Sequence, residues 1–443
     1  MQTMTKDEGD MKWDEVAAWI GLDWADQQHQ IAEYNVTTGA TTRYIVKHTP
    51  EELQRWLNEL RAKYPGAKVA VVMEQARGSV LYALMSCDFL TIYPVNPASV
   101  ANYRKAFYPS GAKSDPGDAE LMSEMVRKHP GRVRVWRADD AQTKSLRLLS
   151  EGRRKQVDQI TRLTNRLTAQ LKNYYPQALE LAGELSSLQA CDFLQRWPTL
   201  AELKQARATS VRNFYKKHGR PRQEVIEERI RRIKEAVGIT EDPAVVLAGS
   251  MMVQTIVGQI RVLIEGVARF DNQIAQLFQK HPDCSIFESF PGAGPILAPR
   301  LLAAFGADRD RWESAADIQQ LSGIAPVTHQ SGKGRYVTWR WSCSKFLRQT
   351  FHEYAQRSVV WCDWAKAFYK GQRESGKDHH AALRALAYKW IRIMFRCWKT
   401  HTLYDGSLYL KSLEIRSSPL LIRAAQSQAE RQQTERGKSK KVA

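Results

Sequence analysis

The sequence predicts an α/β domain followed by a long, mostly helical remainder, and three observations carry that expectation. Two short apolar runs, Trp19-Ile-Gly-Leu-Asp23 and Val69-Ala-Val-Val-Met-Glu74, have strand length, and each ends in an acid. From about Ala141 the apolar residues instead recur every three or four positions, the period of a helix. The last third of the chain is basic and rich in tryptophan.

Taken in order, the first segment holds those two strands and a third candidate, Thr91-Ile-Tyr-Pro-Val95, with helices expected over Pro50 to Lys63 and Gly78 to Met85. A strand that delivers an acid at its end puts the carboxylate on the rim of a sheet, where open α/β folds do their chemistry. Val157, Ile160, Leu163, Leu167 and Leu171 then make one apolar stripe on a polar helix. Ile256, Ile260, Leu263, Val267, Phe270, Ile274 and Leu277 alternate spacings of four and three, the seam of a coiled coil or a helical hairpin. That seam requires a partner helix, in the same chain or another. Between the two lies Lys204 to Lys234, with eleven Lys or Arg against three Glu. Asp242-Pro243 restarts the helix, with Pro suited to its first turn.

A third segment starts near Ser285. Phe290-Pro-Gly-Ala-Gly294, leading into Leu297 to Phe305, has the form of a glycine hairpin opening a helix, whose free N–H groups at Gly292 and Gly294 can hold a phosphate. Pro-Gly also makes ordinary turns. Ser331 to Thr400 carries fifteen Lys or Arg against four Asp or Glu, interleaved with Trp339, Trp341, Trp361, Trp364, Trp390 and Trp398. Cations set among aromatics favour phosphates and stacked bases. The polar, basic stretch from Arg416 to Ala443 is expected to be disordered.

Length and composition bound the function. At 443 residues two or three domains are expected. A formal net charge of +19 calls for a polyanionic partner, with nucleic acid ahead of an anionic membrane. The six cysteines lie far apart without a C-x-x-C pair, as free thiols of a reducing cytosol would. Lys6, Asp7, Glu8, Asp10 and Lys12 stand where a signal peptide would be apolar, and no later run is expected to approach a membrane span. A cytoplasmic protein is the expectation.

Four acids narrow the chemistry: Asp23, Glu74, and the pair Asp115 and Asp118 in Lys113-Ser-Asp-Pro-Gly-Asp118. Phosphodiester cleavage uses hard cations to carry charge on the attacking and leaving oxygens, and carboxylates from separate elements can hold two Mg²⁺ ions ~4 Å apart. Asp115-Pro116-Gly117-Asp118 is equally a good helix start, with Asp at the cap, Pro at the first position and Asp at the third. Spacing of three puts both carboxylates on one helix face, so the two roles are compatible. Asp23 and Glu74 have no capping work to explain them. Ser331, in His329-Gln-Ser-Gly-Lys-Gly-Arg335, is either a residue of a surface turn or a nucleophile toward phosphorus assisted by Lys333 and Arg335. Arg340, Lys345 and Arg348 extend the basic set toward nucleic acid. His379-His380 beside Asp378 fits a solvated face or a phosphate contact better than a metal site.

Gly-Leu-Asp23, Met-Glu74, Asn96-Pro97, Lys113-Ser-Asp115-x-x-Asp118-Ala, Pro-Gly-Ala-Gly294, Leu-Ser-Gly-Ile-Ala-Pro326 and Gln-Ser-Gly332 occur in an order that resembles the DEDD insertion-sequence transposases, the bridge-RNA-guided serine recombinases. The resemblance implies a RuvC-like, ribonuclease-H-fold domain over 14–138 whose Asp23, Glu74, Asp115 and Asp118 bind Mg²⁺, two ions per site. It implies a mostly helical transposase domain over 283–412 whose Ser331 forms a covalent phosphoserine link with DNA. The resemblance leaves out the tail and much of the helical middle, where the residues themselves give a helical, coiled-coil dimerisation segment over 139–282 and a basic, disordered tail over 413–443. It also implies donor and target DNA and a structured noncoding guide RNA as partners, and a dimer or tetramer. Gly332-Lys-Gly-Arg335, the Trp-rich Thr338 to Trp341 and the shortened Ser344-Lys-Phe-Leu-Arg348 depart from the family pattern. Rival readings are a metal-only RuvC-like junction nuclease in which Ser331 is a bystander, and a noncatalytic RNA- or DNA-binding scaffold. An actin-like ATPase would need a Gly/Thr-rich phosphate hairpin after Asp23, and Asp23-Trp-Ala-Asp-Gln-Gln-His lacks it.

Overall fold

The apolar runs that end in Asp23 and Glu74 become the two central strands of a five-stranded sheet. The structure, a computed structural model, describes residues 16–74, 78–107, 115–137, 139–219, 221–332 and 334–439, except for the side chains of 115, 116 and 430–439. Two compact units divide it, one within residues 1–138 and one within 139–443.

The first unit runs β1 (Val16–Asp23), β2 (Gln28–Asn35), β3 (Thr41–Lys47), α1 (Pro50–Lys63), β4 (Lys68–Glu74), α2 (Ser79–Leu84), β5 (Leu90–Val95), α3 (Pro97–Phe107) and α4 (Asp115–Lys128). Strand order is β3-β2-β1-β4-β5, antiparallel over the first three and parallel from β1 to β4 to β5. β1 and β4 are buried on both faces, which is why they read as continuous apolar runs. Ala18, Ile20, Leu22, Val69, Val71 and Met73 face α1 and α2. Trp19, Ala70 and Val72 face α4. The sequence expectation lacked β2 and β3. β3 is a largely exposed edge strand and β2 carries Gln, His, Glu and Asn among its apolar residues, so neither shows an apolar run.

In the second unit α5 (Ala141–Tyr174) and α11 (Pro243–Gln279) lie antiparallel along each other: Gln142 donates to the Leu277 carbonyl at 2.7 Å, Arg153 pairs with Asp271, and Tyr174 abuts Gly249. The partner that the seam required is thus in the same chain. Asp242 caps α11, its carboxylate accepting from the Ala244 N–H at 2.8 Å, with Pro243 at the first position. By length and composition α11 could cross a membrane, contrary to the expectation that no run would approach a span. Its apolar residues exceed what α5 covers, and Leu247, Met251 and Val262 stay exposed.

Between these helices come α6 (Ala178–Leu181), α7 (Leu188–Arg196), α8 (Leu200–Gln205), α9 (Ala208–Lys217) and α10 (Gln223–Glu235). They fold back on the hairpin end around Phe193, Trp197, Phe214 and Tyr215. The charged stretch resolves into amphipathic helices: Ile226, Ile230 and Ile233 face inward from α10.

The C-terminal part comprises α12 (Cys284–Glu288), α13 (Gly294–Phe305), α14 (Ala315–Leu321), the hairpin β6 (Val327–Ser331) and β7 (Gly334–Thr338), then α15 (Lys345–Trp361), α16 (Asp363–Glu374), α17 (His379–Lys399), α18 (Gly406–Ile415) and α19 (Pro419–Ser439). Trp364, Trp390 and Trp398 belong to its core, not to a base-stacking surface. Their indole N–H groups are satisfied internally, by Tyr404, Ser358 and the Gly306 carbonyl at 2.7–2.8 Å. The segment expected to be disordered instead forms α19, because Leu420 and Ala424 find apolar cover in the same core.

Candidate active site and nucleic-acid interface

Asp23 and Glu74 end neighbouring parallel strands, where Leu22 pairs with Met73. Alternation places both on the face that carries Trp19 and Val72, the face crossed by α4. The crossing is exceptionally close at Gly21, where an added Cβ would lie 1.6 Å from the Ala119 carbonyl oxygen. Ser123 donates to the Trp19 carbonyl at 3.2 Å, so α4 runs antiparallel to β1. Four helical residues and two strand residues both span about 6 Å, so the backbone of Asp115, four residues before Ala119, comes level with Asp23.

Asp118 is buried and paired with Arg104 of α3. The side chain of Asp115 lies outside the described residues, as does Lys113. Among the described residues no group of three His, Cys, Asp or Glu side chains stands close enough to hold a metal ion. Arg104, which the sequence reading missed, shows that the buried carboxylate draws a cation.

A second missed feature ties the turn after Asp23 to the start of α2. The Ala25 N–H donates to His29 Nδ1 at 3.3 Å, so the ring proton is assigned to Nε2, which donates to His48 Nδ1 at 2.8 Å. His48 Nε2 then meets the Ser79 hydroxyl at 3.2 Å. Burial, and then the neighbouring His48, push the His29 pKa down to about 4. Two histidines 19 positions apart and a serine 31 positions farther on left no spacing signal in the sequence.

Ser331 ends β6 at the tip of an exposed ribbon, paired across the turn with Gly334. Gly332 has φ +56°, as a tight two-residue hairpin requires. Lys333 lies outside the described residues. His329, on the Ser331 face, stacks on Tyr336 at 4.8 Å and turns its Nε2 to Thr338 at 2.8 Å. Arg335, paired with Gln330, takes the opposite face of the ribbon from Ser331. Arg340 reaches back to the Ala325 carbonyl at 3.4 Å and anchors the ribbon's base. Lys345 is exposed at the start of α15, where the Ser344 hydroxyl accepts from the Leu347 N–H.

Arg348 lies 5.5 Å and Arg384 4.4 Å from the centre of the Trp339 ring, which in turn stacks on the exposed Trp341. Arg384, 45 positions from Trp339 in sequence, joins it only through folding. His379 and His380 turn to separate partners, Tyr369 and His352.

Gly292 and Gly294 have φ +77° and +55° in the turn before α13. A Cβ on Gly292 would stand 2.8 Å from the Trp361 ring, so only glycine fits both the conformation and the contact. No side chain caps α13, whose first N–H groups border a cavity of about 950 Å³ that Arg154, Arg300, Arg357 and Trp361 also line. Glu353 neutralises Arg154 and Arg300, leaving Arg357 over Trp361 as the exposed cation.

Two family profiles match the parts that carry these features. Residues 20–176, with the acid-bearing sheet, match the DEDD transposases of IS110, and residues 284–370, with the glycine turn and the serine ribbon, match the transposases of the IS116/IS110/IS902 family. The chain is 27% identical over 399 residues to the IS117 mini-circle protein of Streptomyces coelicolor, covering 88% of this chain and 96% of that one. It is 23% identical over 406 residues to the 43.6 kDa protein of insertion element IS110 from the same organism, covering 89% and 97%. A segment of 77 residues is 35% identical to the pilin gene-inverting protein of Moraxella bovis, 16% of this chain and 24% of that one. The acid-bearing sheet and the serine ribbon thus both lie in matched regions, and the chain belongs to the IS116/IS110/IS902 family of transposases.

Proposed function

We propose that this transposase cuts and rejoins DNA through a covalent 5′-phosphoserine link at Ser331, assisted by a RuvC-like domain whose Asp23, Glu74, Asp115 and Asp118 hold Mg²⁺. The observation that carries the reading is the delivery of Asp23 and Glu74 to one rim of the sheet, on the face where α4 begins with Asp115. The donor set suits a hard cation, being carboxylate oxygens only, and the Arg104 pair marks Asp118 as a place where positive charge is favourable. Bound there, Mg²⁺ would neutralise charge on the scissile phosphate.

The chain's own steps are as follows. The Ser331 hydroxyl oxygen attacks phosphorus, its proton passing to solvent. The Oγ–P bond forms as the P–O3′ bond breaks, and the departing strand leaves as a 3′-hydroxyl. A 3′-hydroxyl of another strand then attacks the phosphoserine, and Ser331 is released. Bond energy is kept in the link, so rejoining needs no ATP. Gly292 and Gly294, with Lys113, Lys333, Arg335, Arg340, Lys345 and Arg348, contact phosphates. The relative named for pilin gene inversion supports rejoining, since inversion reseals what it cuts.

In this reading 14–138 is the RuvC-like domain, 139–282 the helical dimerisation segment, 283–412 the transposase domain and 413–443 its basic end. A structured guide RNA pairs with donor and target DNA, a dimer or tetramer brings serine and acids together, and the free cysteines suit the cytoplasm. Ser331→Ala tests the proposal: it should abolish protein–DNA adducts while Asp23→Asn abolishes cleavage and spares nucleic-acid binding. Adducts persisting in Ser331→Ala, or hydrolysis without adducts in the unmodified protein, would replace it with a metal-only nuclease.

A further inference from the structure

A second cationic site lies on the far part of the C-terminal core, outside both matched regions and apart from the serine ribbon. α17 and α18 diverge around a cavity of about 500 Å³, closed at one end by the Thr402–Asp405 connection. Lys389, Arg392 and Arg396 enter it from α17 at spacings of three and four, and Arg416 enters from the end of α18. Among the described residues none of the four makes an ion pair. Asp405 is the one acid among the lining residues, and its carboxylate is spent on the Ser407 N–H at 2.8 Å, capping α18.

Elsewhere in this unit arginines meet carboxylates, as Arg153, Arg154, Arg300 and Arg309 do. Four cations without an ion pair around one cleft repel one another, and Lys389 rests its ammonium on the Phe368 ring at 4.9 Å. Burial, then Arg392 and Arg416, hold the Lys389 ammonium below its ordinary value. The arrangement becomes favourable only with several negative charges in or across the cleft.

The floor is apolar and rigid. Tyr404 bonds through its hydroxyl to Trp364 at 2.8 Å, and the Tyr409 ring packs 4.4 Å from Trp364, so both are fixed by the aromatic core. At the mouth Leu403 and Leu408 are 57% and 61% exposed. An inorganic anion would leave this apolar surface wet and neutralise only part of the charge. A stacked duplex keeps its bases inside and cannot present one to a cleft. The cavity is in the range of roughly 300–1,000 Å³ that holds an organic ligand. We propose that the α17–α18 cleft binds a nucleotide of an unpaired nucleic-acid strand, its base against Leu403, Leu408 and Tyr409 and its flanking phosphates on Lys389, Arg392, Arg396 and Arg416.

The test uses the full chain and fluorescent dT and U oligomers of about 20 nucleotides, longer than the ~4–16 nucleotides a comparable site covers. A duplex of the same length and a polyglutamate competitor complete the set. Removing three cations in Arg392→Gln/Arg396→Gln/Arg416→Gln should weaken oligomer binding at least ~10-fold and reduce its salt slope by about 2, at ~0.7 per phosphate. Duplex affinity should stay within about twofold, because duplex phosphates meet other surfaces. Leu408→Trp fills the exposed mouth and leaves every charge in place, so it should weaken oligomer binding with the salt slope unchanged. If the triple variant fails to fold by circular dichroism, the Leu408→Trp result decides. Preference for dT or for U identifies the strand as DNA or RNA, and either supports the site. Equal losses for duplex and oligomer, no loss in Leu408→Trp, or displacement by polyglutamate as effective as by oligomer overturns it. None of these readouts depends on Ser331 or the four acids.

Discussion

Replacing Gly21 by Ala adds one methyl group at the point where α4 crosses β1. The ideal Cβ position lies 1.6 Å from the Ala119 carbonyl oxygen, 2.6 Å from its carbon and 3.3 Å from its Cα, and all three are backbone atoms. A Cβ does not approach closer than 3.0 Å, so helix and strand must part by about 1.4 Å, the difference between 3.0 and 1.6 Å. Overpacking of this kind costs about 1–3 kcal/mol. Catalysis should suffer more than folding. The retreating segment carries Asp118 next to Ala119 and Asp115 one turn earlier, and a displacement near 1 Å costs about 100-fold where positioning matters. Gly21→Ala should therefore fold with a lowered melting temperature, by circular dichroism, and lose at least ~100-fold in Mg²⁺-dependent strand cleavage at saturating DNA. DNA affinity should change little, because the residues proposed to contact phosphates, Lys113 apart, belong to the second unit. A variant that melts lower but cleaves normally would remove α4 from the active site, and one unchanged in both would refute the close crossing itself.

Other outcomes follow from the same geometry. His29 resists protonation until about pH 4 when folded but takes a proton near 6.5 when unfolded, so its contribution is neutral above that range and stability falls as pH drops from 6.5 toward 4. The full loss is about 3 kcal/mol by urea melts, and His29→Gln should flatten it; an equal slope in the variant would place the titration elsewhere. Trp339→Ala should cost about 1–3 kcal/mol in single-strand affinity with little change in melting temperature, and unchanged affinity would show that Arg348 and Arg384 hold no stacking platform there. Arg104→Met should lower the Mg²⁺ concentration for half-maximal cleavage, because the guanidinium no longer competes for Asp118. A raised requirement would make Arg104 a support of the site instead.

The central strands and the helical seam were legible in sequence because burial on two faces, or on one stripe, forces a periodic apolar pattern. β2 and β3 left no such trace, since polar residues occupy much of both. Tryptophan spacing misled for a related reason: Trp364, Trp390 and Trp398 sit among cations in sequence, yet their indole donors find internal acceptors and the rings go to the core. The acids at Asp23 and Glu74 were visible because each terminates an apolar run. Arg104 and the His29–His48–Ser79 relay were not, because only the fold brings those positions together.

The paired helices α5 and α11 join two separate hydrophobic cores. Leu146, Ile274 and Phe278 are embedded in the C-terminal one, while Leu167, Leu171, Ile256 and Ile260 belong to the cap formed by α6–α10. Leu149 packs on the first core and Leu163 on the second, so α5 spans about 21 Å between them at ~1.5 Å per residue. The gap behaves as a spacer of quantised length. Removing one heptad from both helices would bring the cores about 10 Å closer with their facing sides still in phase, whereas removing it from one helix alone would pull the two cores out of register.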